Sequence, residues 1–102
     1  MELITAEEVK SRLDAGEQLN LIDVREPSEN AEFNIGGILL PLGKIQSMNI
    51  YEIEDLREKE VICYCRSGNR SAQACQILDM LGFIKTKNLS GGMLGWQEKY
   101  IN

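Results

Sequence analysis

The stretch VICYCRSGNRSAQACQILDMLGF, residues 61 to 83, has the pattern of one strand, one tight turn and one helix. Its first five residues are a short, mostly apolar run, which is typical of a buried central strand. From Ala74 onward apolar side chains recur at helical spacing, and Gly82 ends that pattern as a helix-terminating glycine. The stretch therefore predicts a strand that passes through a short loop into a helix.

Three more short runs predict strands. LNLIDV, residues 19 to 24, is interpreted as a buried strand that ends at one of its last two positions. ILLPL, residues 38 to 42, is a second run, and Pro41 marks its end because proline cannot donate to a sheet ladder. TKNL, residues 86 to 89, is a weaker strand prediction. The chain thus offers four predicted strands.

Helical patterns alternate with these strands. Thr5 and Glu8 have the spacing of a capping box at the start of a first helix, and Ser90 is a possible cap for the last one. A further charged segment has one apolar helical face, which carries Ile50, Ile53 and Leu56. The alternation predicts one compact α/β domain over residues 1 to 102, with a mainly parallel sheet covered by helices on both faces.

Composition limits the classes of function. The chain has 102 residues, 43% of them hydrophobic, and its net charge of −5 argues against general binding to nucleic acid or to an anionic membrane. No apolar run approaches a membrane span of ~20 residues, and the start MELITAEEVK lacks the pattern of a signal peptide. We therefore expect a cytoplasmic protein, in which three cysteines remain thiols.

Cys65 stands where the central strand ends and the loop to the helix begins. In parallel sheets, unpaired N–H groups and the helix dipole converge at such junctions. Gly68 and Asn69 are residue types that accept positive φ, so the loop can curl with its N–H groups toward the sulfur. Arg66 and Arg70 add positive charge. A thiol in this setting has its pKa lowered from about 8.5 toward neutrality.

The chain contains no histidine, which excludes a Cys-His pair, so the loop would have to activate Cys65 alone. Sulfur transfer and phosphoryl transfer both fit such a loop. The alternative is that Cys65 is a small buried residue at a strand end, as most free cysteines are. For Cys63 and Cys75 packing is the favoured interpretation, and a redox role for Cys63 is weakly supported. No metal site or cofactor is predicted, since the cysteine spacing lacks the usual zinc pattern.

Four stretches together resemble a single-domain rhodanese, of the sulfurtransferase family. They are LIDVREPSE (21 to 29), GGILLPLGKI (36 to 45), the stretch from 61 to 83, and NLSGGMLGW (88 to 96). The resemblance implies the rhodanese fold, with a central five-stranded parallel sheet. It also implies a catalytic cysteine that takes a sulfur from thiosulfate or another donor, holds it as a persulfide, and passes it to cyanide, a thiol or a carrier protein.

The resemblance implies a role for particular residues. Cys65 is the implied nucleophile, and Asp23, Arg25 and Ser71 are implied in supporting positions. The implied persulfide cradle consists of Arg66, Ser67, Gly68, Asn69 and Arg70. For Arg25 a surface ion pair with the neighbouring Glu26 is an equally good interpretation.

Two details bear on the substrate. Four residues separate Cys65 from Arg70, whereas five separate the cysteine from the arginine in the related phosphatases. The shorter loop makes a smaller ring of N–H donors, which suits a sulfur better than a phosphate. A phosphatase or arsenate reductase is therefore the lesser alternative. The segment EFNIGGILLP, residues 32 to 41, resembles rhodanese domains appended to adenylyltransferases of sulfur-carrier systems. A persulfide carrier is thus a second alternative, with a cysteine desulfurase, a sulfur-carrier protein or an adenylyltransferase as partner.

Overall fold

The computed structural model describes residues 1 to 101, which contain a five-stranded sheet in the order β1-β5-β4-β2-β3. All four pairs of neighbouring strands are parallel. The strands are β1 (Glu2–Ile4), β2 (Leu21–Asp23), β3 (Ile38–Leu39), β4 (Glu60–Tyr64) and β5 (Lys85–Leu89). The helices are α1 (Ala6–Asp14), α2 (Pro27–Glu32), α3 (Leu42–Gln46), a 3₁₀ helix (Tyr51–Leu56), α4 (Asn69–Met80) and α5 (Gly92–Tyr100).

Helices cover both faces of the sheet, as predicted. On one face, apolar side chains of α3, the 3₁₀ helix and α4 pack in a single cluster with the strand residues Ile22, Val61 and Cys63. On the other face, α1 and α5 pack with Leu21, Ile62 and Leu89. The central strands β2 and β4 alternate their side chains between the two clusters, which is why their sequences are mostly apolar rather than amphipathic.

The predicted strands and the main helix are confirmed. The run at 19 to 24 contains β2, the run at 38 to 42 contains β3, and TKNL lies inside β5. Residues 61 to 83 contain most of β4 and all of α4, and Gly82 has a φ of 97° just after the helix. The apolar face at residues 50 to 56 is buried, but the segment is a 3₁₀ helix.

The two predicted helix caps have different outcomes. The Thr5 hydroxyl accepts the N–H of Glu8 at 3.1 Å, which confirms the cap of α1. Ser90 is wrong as the cap of α5, because Gly91 occupies that position with a φ of 77°. The N–H of Ser90 instead donates to the carbonyl of Ile4 in β1. Ser90 thus extends the sheet and leaves the turn into the helix to glycine.

Strand β1 was not predicted from the sequence. It has three residues, and of these only Ile4 is buried, so no apolar run marks it. Its pairing with β5 supplies the missing fifth strand. None of the helices in residues 1 to 101 is long and apolar enough to cross a membrane.

Candidate active site

The candidate site lies at the carboxyl end of β4, at the junction expected from the sequence. Cys65 follows the strand directly, and its side chain is buried in the cluster beneath α4. Gly68 precedes α4 with a φ of 109°, which confirms the predicted left-handed turn. Asn69 does not share this conformation, because it is the first residue of the helix. The loop between the strand and the helix therefore consists of residues 65 to 67, followed by Gly68 as the helix cap.

Two N–H groups and one hydroxyl oxygen lie close to the sulfur of Cys65. The N–H of Gly68 lies 3.0 Å from Sγ, the N–H of Ser71 lies 3.4 Å from it, and the Ser71 hydroxyl lies 3.3 Å away. Burial acts to raise the pKa of the Cys65 thiol, but the side chain of Ser71 and the N–H groups of Ser71, Gly68 and Ser67 together bring that pKa below its ordinary value. The loop thus favours a thiolate without a histidine.

Arg66 and Arg70 have different surroundings. The Arg70 guanidinium binds the Glu29 carboxylate of α2 through two hydrogen bonds, of 2.7 Å and 2.8 Å. Arg70 lowers the pKa of Glu29 to about 2, so the pair is ionised at neutral pH. The charge of Arg70 is therefore paired with a carboxylate, which the sequence did not predict. Arg66 is exposed directly after Cys65, and Ser67 and Asn69 are exposed as well.

Asn88, which the sequence analysis did not single out, also belongs to this site. It lies in β5 and is 4% exposed. Its side-chain oxygen accepts the Ser71 hydroxyl proton, and its NH2 group donates to the Gly68 carbonyl at 3.1 Å. The only sequence signal was a carboxamide within a short predicted strand, where a polar side chain needs a buried partner.

Asp23 and Arg25 form a buried pair beside the loop. The Arg25 guanidinium donates to both carboxylate oxygens of Asp23, at 2.9 Å and 2.8 Å, and to the carbonyl of Phe33 at 2.6 Å. Arg25 is 5% exposed, so the alternative of a surface ion pair with Glu26 is wrong. The pair ties the end of β2 to the segment after α2, which places it in the wall of the site.

The glycines of NLSGGMLGW bring α5 against the loop. The N–H of Met93 donates to the Cys65 carbonyl at 2.9 Å, and the N–H of Leu94 donates to the Arg66 carbonyl at 3.0 Å. Gly92 has a φ of 55°, and a Cβ there would lie 2.5 Å from each of these two carbonyl oxygens. Only glycine permits this approach. The start of α5 therefore satisfies the backbone of the Cys65 loop.

Comparisons with known proteins agree with this geometry. The model of the rhodanese-like domain family matches residues 5 to 99. The chain is also 42% identical over 96 residues to a Bacillus subtilis protein named "Putative sulfurtransferase YtwF". The aligned region covers 92% of this chain and 88% of the relative. The chain belongs to the rhodanese-like family.

Two further relatives of this rhodanese-like chain bear on its fold and its function. A solved human single-domain sulfurtransferase superposes with a TM-score of 0.81 and 27% identity, over 97% of each chain. The predicted rhodanese fold is thereby confirmed. A second Bacillus subtilis protein, "Putative sulfur carrier protein YrkF", is 35% identical over 98 residues, which cover 94% of this chain and 51% of the relative.

An open cleft of about 370 Å³ lies beside the loop of this rhodanese-like domain. Its polar lining includes Arg66, Arg25 and Glu29, and Phe33 and Leu94 contribute apolar surface. Cys65 itself is 1% exposed. The cleft is instead lined by its exposed neighbour Arg66, which brings positive charge next to Cys65 in the chain.

The other two cysteines lie outside the cradle. Cys63 and Cys75 are fully buried, and all three cysteines are free thiols. Contact with Cys75 and burial raise the pKa of Cys63. The prediction that these two cysteines pack in the core is confirmed. Trp96 is likewise buried in the cluster beneath α1 and α5.

Proposed function

We propose that this chain is a sulfurtransferase that moves a sulfane sulfur through a persulfide on Cys65, with residues 1 to 102 acting as a single domain. The observation that carries the proposal is the convergence of two N–H groups, those of Gly68 and Ser71, on a single buried sulfur. These donors stabilise negative charge on Sγ, and they do not depend on a histidine or a metal. A loaded persulfide is also an anion, so the same loop suits both forms of the cysteine.

The proposed reaction has two displacements. In the first, the Cys65 thiolate attacks the outer sulfur of thiosulfate, the S–S bond of the donor breaks, and sulfite leaves with the bonding electron pair. In the second, cyanide or a thiolate attacks the outer sulfur of the persulfide, the new S–S bond breaks, and Cys65 leaves as a thiolate. The exposed Arg66 guanidinium lies on the cleft where the oxyanion of the donor would sit.

A second candidate function is a persulfide carrier with little turnover of small donors. The relative named as a sulfur carrier protein favours this candidate, although the chain matches only 51% of that relative's length. A cysteine desulfurase would then supply the sulfur, and a sulfur-carrier protein or an adenylyltransferase would receive it. The cleft is open to solvent, which is compatible with a protein-borne donor as well as with thiosulfate.

Intact-mass measurement after incubation with thiosulfate tests the proposal. We expect a gain of one sulfur atom that cyanide removes, that is absent in Cys65→Ser, and that persists in the matched control Cys75→Ser. No gain from thiosulfate, but loading by a cysteine desulfurase, would support the carrier. Failure of both donors, together with hydrolysis of an aryl phosphate, would overturn sulfur transfer in favour of a phosphatase or arsenate reductase.

Alkylation of the thiols tests the cradle separately. Because hydrogen bonds lower the pKa of Cys65 while Cys63 is buried with a raised pKa, iodoacetamide should modify Cys65 first and at lower pH. Peptide mass spectrometry after timed alkylation of the folded protein identifies the modified residue. Equal rates at Cys65 and Cys63 would contradict the proposed cradle.

A further inference from the structure

Asn88 connects the sheet to Gly68 and Ser71, whose N–H groups lie within 3.4 Å of the Cys65 sulfur. Its side-chain oxygen accepts from the hydroxyl of Ser71, and its NH2 group donates to the carbonyl of Gly68. Asn88 does not itself contact Sγ, and it is buried in β5, the neighbour of strand β4, which ends directly before Cys65. Asn88 therefore contacts the loop from the sheet, without touching the sulfur.

Each of the two contacts restrains one donor. Gly68 has a φ of 109°, a conformation that glycine leaves easily, and its carbonyl is held by Asn88 and by the N–H of Ala72 in the first turn of α4. Ser71 places both its N–H and its hydroxyl within 3.4 Å of the sulfur, and its hydroxyl is bonded to Asn88. Because hydrogen-bond strength falls steeply with misalignment, small movements of either residue weaken the stabilisation of a thiolate.

We propose that Asn88 is a positioning residue of the Cys65 loop, which ties the Gly68 carbonyl and the Ser71 hydroxyl to β5 and so keeps the N–H groups of both residues aimed at the sulfur. The relevance of this role to sulfur transfer rests on the proposed function. The geometric role itself concerns only the ionisation of one thiol.

The pH dependence of Cys65 alkylation tests the role of Asn88. The main variant is Asn88→Leu, which has the same number of side-chain heavy atoms and removes both hydrogen bonds. We expect the apparent pKa of Cys65 to rise, so that alkylation near pH 6.5 slows by about three- to tenfold, the effect of weakening a hydrogen bond to a charged sulfur. At a pH where the thiol is fully ionised, the rate should differ much less, because access to the sulfur is unchanged.

Thr86→Val is the matched control. Thr86 lies two residues earlier on the same face of β5, is 3% exposed, and donates its hydroxyl proton to Asp79 rather than to the loop. Its loss removes a buried hydrogen bond from the same strand, and the pKa of Cys65 should not change. If Asn88→Leu does not fold, Asn88→Ala replaces it in the same measurement.

Three results would overturn the proposal: an unchanged pKa, a lowered pKa, or an equal rise in Thr86→Val. A lowered pKa would mean that Asn88 mainly withholds the Ser71 proton from the sulfur. Alkylation requires no sulfur donor, so the two proposals fail separately. A wild-type chain that takes no sulfur, with the expected rise in Asn88→Leu, would refute only sulfur transfer. Normal sulfur loading with an unchanged pKa would refute only the role of Asn88.

Discussion

Gly92→Ala is expected to lower the free energy of unfolding strongly, because α5 meets the Cys65 loop at this residue. An alanine at a φ of 55° costs about 1–2 kcal/mol, because L-residues disfavour the left-handed region. Its Cβ would also lie 2.5 Å from the carbonyl oxygens of Cys65 and Arg66, so α5 must move away from the loop. That movement weakens the hydrogen bonds from Met93 and Leu94, each worth about 1 kcal/mol. The total loss is about 3 kcal/mol.

Urea unfolding followed by the fluorescence of Trp96, the single tryptophan, measures this loss. A domain of this size has a free energy of unfolding of about 5–15 kcal/mol, so a loss of 3 kcal/mol is a substantial fraction. The melting temperature should fall by about 12–24 °C. The alkylation rate of Cys65 in the remaining folded protein should also change, since its own carbonyl loses a partner.

Gly95→Ala is the control for Gly92→Ala. Gly95 lies within α5 at a normal φ, and a Cβ there meets no atom within 4 Å. Alanine should therefore be neutral or stabilise the helix by about 0.5–1 kcal/mol. If Gly92→Ala unfolds within 1 kcal/mol of the wild type, or if Gly95→Ala is equally destabilised, the close approach of α5 to the loop is not the constraint described above.

Three other positions near the site carry predictions. Arg25→Met should cost about 3–5 kcal/mol in urea unfolding, because it leaves the Asp23 carboxylate buried and unpaired, and adding Asp23→Asn should recover much of this loss. Because Arg70 lowers the pKa of the Glu29 carboxyl in the folded state, the stabilisation by Glu29 should be complete above about pH 4.5 and disappear as the pH falls toward 2. In Glu29→Gln the free energy of unfolding should vary less over that pH range. An unaltered pH profile would contradict the pairing. Burial raises the pKa of Tyr64 to about 12, so ultraviolet titration of the folded protein should show one late tyrosine that is missing in Tyr64→Phe.

Local sequence signals were sufficient for the part of the fold around the central strand. β4, the glycine turn and α4 follow one another within 23 residues, and each has its own signal in composition or periodicity. The exposed first strand had no such signal, because only Ile4 of its three residues is buried. Its pairing partner β5 lies more than eighty residues away along the chain. Strand pairing over that distance depends on the whole sheet rather than on local pattern.

The candidate site shows the same division. Cys65 and the left-handed Gly68 could be predicted, because a cysteine before a glycine-containing turn is a local pattern. The partner of Arg70 could not be predicted, since Glu29 is 41 positions away and lies in a helix that the sequence did not reveal. The same holds for Arg25, whose buried guanidinium bonds to Asp23 and to the Phe33 carbonyl rather than to the adjacent Glu26.

By itself, the sequence determined the alternation of strands and helices, the position of Cys65 at the end of a strand, and the absence of histidine from the chain. The tertiary structure decided which groups surround the sulfur. Ser71 points at Sγ, Asn88 holds the loop from β5, and Gly92 lets α5 reach the loop carbonyls. These contacts join three elements at one edge of the sheet. Directional hydrogen bonds between elements depend on how those elements are placed in space, which no local pattern of residue types encodes.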